Sequence, residues 1–163
     1  MLASFRPTQL QIALAILIIA AATLGGAWIF QAFGYAPCEL CLKQRIAYYT
    51  VVPLSLLVAL VGARNPAILR YGLGLLGLIM LGSMVFGIYH AGVEWKLWQG
   101  PTACTGMGTF AGGLPDLTKK AVMCDQPAIR IFGLSLAGWN AVISAFTSAL
   151  AFGKAYGSSS ASQ

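Results

Sequence analysis

The sequence has few charged residues, and this scarcity excludes more classes of protein than any single motif does. Only 9% of its 163 residues are charged, and the acidic residues number four, whereas an ordinary soluble domain has about 25% charged residues. Hydrophobic residues make up 58% of the chain, and the mean hydropathy is +0.78. This composition excludes an ordinary soluble domain. It predicts an integral membrane protein with a single domain over residues 1–163.

The chain also lacks a basic patch of the kind that binds nucleic acid. Its formal net charge is +6, but the ten Lys and Arg residues are scattered singly, apart from Lys119 and Lys120. Nucleic-acid-binding proteins gather their cations on one face or along one helix. We therefore expect contact with membrane lipid and no nucleic-acid partner.

The pattern of cysteine and histidine residues does not match the common metal and haem sites. Cys38 and Cys41 form a C-x-x-C motif, but Cys104 and Cys124 are twenty positions apart and no histidine flanks them. Structural zinc sites usually take their ligands from closely spaced pairs. Attachment of a c-type haem needs a histidine after the second cysteine, where Leu42 stands. We predict no metal centre.

Long hydrophobic runs dominate the rest of the chain. A membrane-spanning helix needs about 20 mostly apolar residues, and four runs meet this need, at about residues 10–30, 46–63, 71–89 and 131–152. The first run is longer than the roughly 7–15 apolar residues of a signal peptide, so we expect it to be retained. The predicted fold class is an all-α membrane protein, a bundle of four transmembrane helices.

All four cysteines are predicted to lie on one side of the membrane. They fall in two loops, about residues 31–45 and 90–130, and each loop follows an odd number of crossings. Within the second, long loop, the stretch "FAGGLPDL" mixes apolar residues with helix breakers, which predicts contact with the membrane surface. Residues 154–163 are predicted to form a flexible tail on the opposite side, together with the N-terminus.

The cysteines also predict the orientation. The counts of Lys and Arg do not follow the positive-inside rule, because the cysteine side carries more of them. Paired thiols are typical of oxidising compartments outside the cytosol. We therefore expect the cysteines in the periplasm and both termini in the cytoplasm of a bacterial inner membrane.

The stretch "PCELCLKQR" is the strongest candidate for chemistry. The spacing of Cys38 and Cys41 permits a redox-active disulfide, although a structural disulfide remains open at this point. Lys43 and Arg45 follow at the start of the second run, where the helix dipole adds positive potential and favours a thiolate. Arg45 is the better candidate for binding a carbonyl oxygen of a lipid-soluble partner, and Lys43 is interpreted as a headgroup anchor.

Three further residues are candidates for the same site. Cys104 and Cys124 lie in the long loop, and the glycines and threonines around Cys104 predict a cysteine that a protein partner can reach. A relay of thiol–disulfide exchange and a structural clamp both fit this pair. His90, the single histidine, ends the third run at the depth of Cys41, where a polar anchor and a functional residue are both possible.

In the order of these motifs, the sequence resembles the DsbB family of quinone-dependent disulfide-generating proteins. The resemblance rests on "PCELCLKQR" after a first helix, on His90, on "GPTACTG" and "MCDQP" in the second loop, and on "FGLSLAGWN" before the fourth helix. In the bacterial periplasm, thiol–disulfide exchange runs along a DsbA–DsbB–quinone route. The resemblance implies the same electron route for this chain.

The resemblance implies a thiol:quinone oxidoreductase. A reduced periplasmic thioredoxin-like oxidase of the DsbA type would attack Cys104, and Cys124 would leave. Electrons would then pass to Cys38 and Cys41 and on to ubiquinone or menaquinone. The resemblance further implies that Cys41 contacts the quinone, that Arg45 binds one of its oxygens and that His90 lines the site.

Three alternatives remain open from the residues alone. The chain could be a structural protein whose two disulfides brace its loops, or electrons could flow in the reverse direction. A fold like that of vitamin K epoxide reductase also combines a helix bundle with a C-x-x-C motif. Its motif follows its loop cysteines, however, which is the opposite of the order in this sequence.

Overall fold

The computed structural model describes residues 8–101, 104 and 123–157, and most of these residues are helical. The four helices are α1 (Gln9–Ala32), α2 (Glu39–Gly62), α3 (Pro66–Glu94) and α4 (Leu136–Tyr156). A short hairpin, β1 (Arg130–Ile131) and β2 (Leu134–Ser135), precedes α4. Each helix is long and apolar enough to cross a membrane. The predicted all-α class with four membrane-spanning helices is confirmed.

Helix α2 begins at Glu39 and not near residue 46, because Cys38 caps it. The Cys38 side chain accepts a hydrogen bond from the backbone N–H of Cys41 at 3.1 Å, as an N-cap residue does. The whole stretch from Cys41 to Arg45 therefore lies within the first turns of the helix. The predicted loop of residues 31–45 is reduced to the short connection 33–38.

Helix α3 is longer at both ends than the apolar run. Asn65 caps it, Pro66 occupies its first turn, and it continues through His90 to Glu94. The predicted second loop therefore starts after Glu94, and both His90 and Glu94 project from regular helix.

Helix α4 begins at Leu136 and not at residue 131, because a tight hairpin turn precedes it. Phe132 and Gly133 both have positive φ, 51° and 83°, as the two-residue turn between antiparallel strands requires. The side chain of Ser135 then caps the helix by accepting from the N–H of Gly138. The helix runs to Tyr156, so the first residues of the predicted tail are helical.

Two predictions fall on other parts of the chain. The membrane-surface stretch "FAGGLPDL", with Lys119 and Lys120 after it, lies outside the described residues, and so do residues 158–163 of the predicted tail.

Small residues bring α3 and α4 close together, with Ser83 and Gly87 on the α3 side of the contact. A Cβ atom added at Gly87 would lie only 3.0 Å from the backbone nitrogen of Ala141. One turn away, the Ser144 hydroxyl donates to Ser83 Oγ at 3.0 Å. Such contacts are the usual means of helix association in lipid, where apolar surface alone gives little preference for protein contacts.

Candidate functional site

A cavity of about 350 Å³ lies at the cysteine end of the bundle, where α1 and α3 end and α2 and α4 begin. Its wall is mainly apolar. Four of the six predicted site residues lie on the wall: Cys38, Cys41, Arg45 and His90. The remaining two, Cys104 and Cys124, pack behind it. The structure thus brings residues from α2, α3 and the second loop to one place.

Cys38 and Cys41 form a disulfide across the first turn of α2, with their Cα atoms 5.0 Å apart. Cys38 is buried and Cys41 is half-buried. At a helix N-terminus the unpaired N–H groups stabilise negative charge, so reduction of this bond would give sulfurs that favour the thiolate form. The motif is therefore placed for redox chemistry.

Cys104 and Cys124 form a second disulfide, with their Cα atoms 5.2 Å apart. Both are buried, and they belong to one apolar cluster with Cys38, Leu40 and Val93. The expectation that a partner can reach Cys104 directly is not met, since only 6% of this residue is exposed. Val93 lies at the end of α3 and contributes to this cluster, which accounts for part of the burial. The two disulfides therefore share one apolar cluster.

His90 connects the end of α3 with the C-x-x-C motif. It is 1% exposed, and its Nε2 atom lies 3.6 Å from Cys38 Sγ. A carboxylate oxygen of Glu94 lies 3.9 Å from the same nitrogen. Glu94 is also buried, and its Oε2 atom has no hydrogen-bond partner among the described residues. Buried ionisable groups in a membrane protein usually face the bundle interior and serve a function.

Glu94 is a site residue that no motif predicted, although the sequence carries a signal for it. Glu94 follows His90 by four positions, which places the two side chains on one face of a helix. It also has an acidic side chain at the end of a long apolar helix, in a chain with four acidic residues in total.

Arg45 lines the cavity, and its side chain is hydrogen-bonded to α1. Its Nη1 donates to Gln31 Oε1 at 2.8 Å, and its Nη2 donates to the carbonyl oxygen of Ala27 at 3.2 Å. A guanidinium group has five N–H donors, so further donors remain for a ligand. Lys43 instead forms an exposed ion pair with Glu39 at 2.9 Å and is not on the cavity wall.

A buried polar network of α2, α3 and α4 borders the cavity on the side of the bundle interior. The Tyr48 hydroxyl donates to Asn140 Oδ1 at 2.6 Å and lies 3.2 Å from Ser144 Oγ, which in turn donates to Ser83. Tyr48 and Asn140 both line the cavity. Hydrogen bonds of this kind hold helices in register in lipid, so the network fixes the shape of this wall.

The cavity has the size and the lining of a small-molecule site. Small-molecule sites have volumes of about 300–1,000 Å³, with mainly apolar walls and a few polar groups that orient the ligand. This cavity has such a volume, and its polar wall groups include Arg45, Gln44 and Asn140. A flat apolar ring with two carbonyl oxygens matches both the wall and these hydrogen-bond donors.

Sequence comparison places the chain in one family. The family model for disulfide bond formation protein DsbB matches residues 9–153. Disulfide bond formation protein B of Cupriavidus metallidurans is 32% identical over 139 residues, which cover 79% of this chain and 81% of that protein. The protein of the same name from Ralstonia nicotianae is 32% identical over 139 residues, with coverage of 79% and 82%.

An uncharacterised protein of Rickettsia prowazekii is 28% identical over 138 residues, which cover 80% of this chain and 78% of that protein. No solved structure is significantly similar to the chain.

Proposed function

The chain belongs to the DsbB family of disulfide bond formation proteins, and we propose that it is a quinone-dependent thiol oxidase of the bacterial inner membrane. In this proposal it generates disulfides and reoxidises a periplasmic thioredoxin-like dithiol oxidase of the DsbA type. Electrons pass from that partner to Cys104 and Cys124, then to Cys38 and Cys41, and finally to ubiquinone or menaquinone in the membrane.

One observation carries this proposal: the Cys38–Cys41 disulfide borders both the second disulfide and the cavity. Cys38 packs in one cluster with Cys104 and Cys124, and both Cys38 and Cys41 line the cavity wall. A disulfide that only braced a loop would need neither neighbour. A redox relay needs both, because thiol–disulfide exchange requires contact between sulfur atoms and electron transfer to an acceptor requires an adjacent binding site.

The first step is thiol–disulfide exchange with the partner. A partner thiolate forms a bond to Cys104 Sγ, the Cys104–Cys124 bond breaks, and Cys124 leaves as a thiolate. The second partner thiol then attacks the mixed disulfide, so that the partner is oxidised and Cys104 and Cys124 are both reduced. Because Cys104 is 6% exposed, the attack requires the second loop to open or to rearrange around the partner.

The second step transfers two electrons within the chain. A thiolate of the Cys104 and Cys124 pair attacks the Cys38–Cys41 bond, and a second exchange leaves Cys104–Cys124 oxidised and Cys38–Cys41 reduced. His90 Nε2, 3.6 Å from Cys38 Sγ, is placed to hold the proton of the Cys38 thiol. Glu94, 3.9 Å from His90, is placed to stabilise the protonated imidazole or to take the proton on.

Arg45, Cys41 and His90 are the residues that would hold the quinone, with the Arg45 guanidinium donating to one ring oxygen. When bound, a quinone supplies a two-electron acceptor that also takes up two protons. Reoxidation of Cys38 and Cys41 to a disulfide returns the chain to its resting state. The apolar wall excludes bulk water from the sulfurs during this step.

In this proposal the two ends of the helix bundle face different compartments. The cysteine end of the bundle faces the periplasm, where the dithiol partner is found, and both termini face the cytoplasm. The odd number of crossings before each cysteine pair and the rarity of stable disulfides in the cytosol support this orientation.

Expression in a bacterium that lacks its own quinone-linked thiol oxidase tests the function in cells. The redox state of the periplasmic dithiol oxidase is read by alkylation of its free thiols and gel mobility. We expect the wild-type chain to restore the oxidised form and Cys104→Ser to leave it reduced. Restoration by Cys104→Ser would contradict the relay, and failure of the wild-type chain, with the protein present in the membrane, would favour a structural role.

A further inference from the structure

The sulfur atoms of Cys38 and Cys41 and the Nε2 atom of His90 all lie within 4.8 Å of one another. While the two sulfurs are joined in a disulfide, neither is a ligand for a metal ion. Reduction changes this, because it produces two thiolate-forming sulfurs beside a buried imidazole. Two cysteine sulfurs and one histidine nitrogen form one of the donor sets that bind zinc in proteins, with the fourth position left for another ligand.

One distance already matches a zinc site. With Zn–S and Zn–N bonds of about 2.3 and 2.05 Å, a tetrahedral site has an S···N edge of about 3.5 Å. The separation of Cys38 Sγ and His90 Nε2 is 3.6 Å. The two sulfurs would have to separate, and the C-x-x-C spacing is the one that zinc sites use for a pair of cysteine ligands.

Glu94 is a second, independent observation that indicates a cation site at this position. It is 9% exposed, its Oε1 lies 3.9 Å from His90 Nε2, and its Oε2 has no hydrogen-bond partner among the described residues. A buried carboxylate oxygen without a hydrogen-bond partner favours a nearby proton or cation, although Ser135 and Arg130 also act on this carboxylate. The two cations that follow the motif are engaged elsewhere, Lys43 with Glu39 and Arg45 with α1.

Contrary to the prediction from the sequence that the chain has no metal centre, we propose that the reduced form binds one zinc ion through Cys38, Cys41 and His90, with Glu94 beside the site and the fourth position left to solvent. Binding joins Zn²⁺ to the two sulfurs and releases their two protons to solvent, and no electrons are transferred. The ion then holds the sulfurs apart and occupies their lone pairs. Electron transfer from this dithiol to an acceptor therefore stops until the metal leaves. The site follows from the geometry, whereas this inhibitory effect rests on the proposed function.

Cobalt is the probe for the site, because Co²⁺ replaces Zn²⁺ and shows thiolate charge-transfer and tetrahedral d–d absorption bands. The experiment uses the full chain in detergent with Cys104→Ser and Cys124→Ser, so that only the C-x-x-C dithiol is available, after reduction with a phosphine. We expect one equivalent of Co²⁺ to bind with both sets of bands, and Zn²⁺ to displace it. The oxidised protein is the matched control and should show neither.

Removal of individual ligands tests the assignment. His90→Ala should weaken Co²⁺ binding by more than tenfold and change the d–d bands, and Glu94→Gln should weaken it by a smaller factor. Thermal unfolding of each variant checks that it is folded, and His90→Gln serves if His90→Ala is not. Unchanged affinity and spectra in both histidine variants would overturn the proposal, as would equal binding by the oxidised protein.

The inhibitory effect is tested separately with the wild-type chain. Quinone reduction in metal-free buffer should be slowed by Zn²⁺ and restored by a chelator. If no quinone is reduced even without metal, the proposed function fails while the cobalt titration still decides the metal site. If quinone is reduced at full rate with Zn²⁺ in excess over the protein, the proposed inhibition is wrong.

Discussion

His90 Nε2 lies 3.6 Å from Cys38 Sγ, which joins the last turn of α3 to the capping residue of α2. Glu94 lies one turn of α3 beyond His90, and its carboxylate faces the same imidazole nitrogen. A sulfur, an imidazole and a carboxylate thus stand in a row on the wall of one cavity, in a part of the bundle that is otherwise apolar.

Arg45→Met should raise the apparent KM for quinone by about tenfold or more, because a hydrogen bond from a charged donor is worth about 1.5–3 kcal/mol and 1.4 kcal/mol corresponds to a factor of ten. Steady-state quinone reduction measures the effect. Lys43→Met is the matched control, since Lys43 lies off the cavity wall, and its KM should be unchanged.

Arg45 could also act only by joining α2 to α1 through Gln31. Gln31→Leu removes that contact and leaves the guanidinium in place. If Gln31→Leu raises the KM as much as Arg45→Met does, the role of Arg45 is to position the helix and not to bind a ring oxygen.

Glu94→Gln should lower kcat for quinone reduction by at least about tenfold and leave the KM for quinone within about twofold. The amide keeps the shape of the side chain but cannot accept a proton, and positioned general bases contribute factors of about 10²–10⁴. Separate measurement of kcat and KM checks this split. A rise in KM at constant kcat would instead place Glu94 among the groups that shape the cavity.

Gly87→Ala should destabilise the bundle by about 1–3 kcal/mol, the usual cost of forcing a methyl group into a packed interface. The added Cβ would lie 3.0 Å from the backbone nitrogen of Ala141, which cannot rotate away. Gly82→Ala is the control on the same helix, because nothing lies within 4 Å of its added Cβ. Unfolding in mixed micelles of detergent and SDS measures both, and equal effects would contradict close packing at Gly87.

Tyr48→Phe should lower the free energy of unfolding by about 1 kcal/mol, since interhelical hydrogen bonds in membrane proteins contribute about 0.6–2 kcal/mol. The variant removes the donor to Asn140 Oδ1 and keeps the ring. Tyr71→Phe, on a residue that is 73% exposed, is the control and should leave the free energy unchanged. A neutral Tyr48→Phe would mean that Ser144, 3.4 Å from the same oxygen, fully replaces the lost donor.

The number of helices could be predicted from the sequence, because the thickness of the bilayer alone sets the length that each apolar run must have. The helix ends could not be predicted in this way, because local capping and not hydropathy determines them. Cys38, Asn65 and Ser135 each start a helix through a side-chain hydrogen bond to its first turn. The turn at Phe132 and Gly133 likewise moves the start of α4 beyond an apolar stretch that gives no sign of a hairpin.

Sequence motifs predicted part of the site, and tertiary contacts supply the rest. Cys38, Cys41, Arg45 and His90 meet at the cavity as a shared depth in the membrane predicts. Tyr48 and Gln44 become candidates only when the packing of the helices places them on the same wall, whereas the spacing of Glu94 from His90 could have identified Glu94 from the sequence. The burial of Cys104 also depends on contacts with residues that are distant in the sequence. The composition of the segment around Cys104 could not predict these contacts.

The most direct test of the central claim follows quinone absorbance under anaerobic conditions, with the purified chain, a reduced thioredoxin-like dithiol and a soluble quinone. We predict catalytic loss of quinone with the wild-type chain and none with Cys41→Ser, in which the Cys104–Cys124 disulfide still oxidises about one equivalent of the dithiol. Full turnover by Cys41→Ser would contradict the electron route. Absence of turnover by the wild-type chain, with both disulfides intact afterwards, would contradict the thiol oxidase itself.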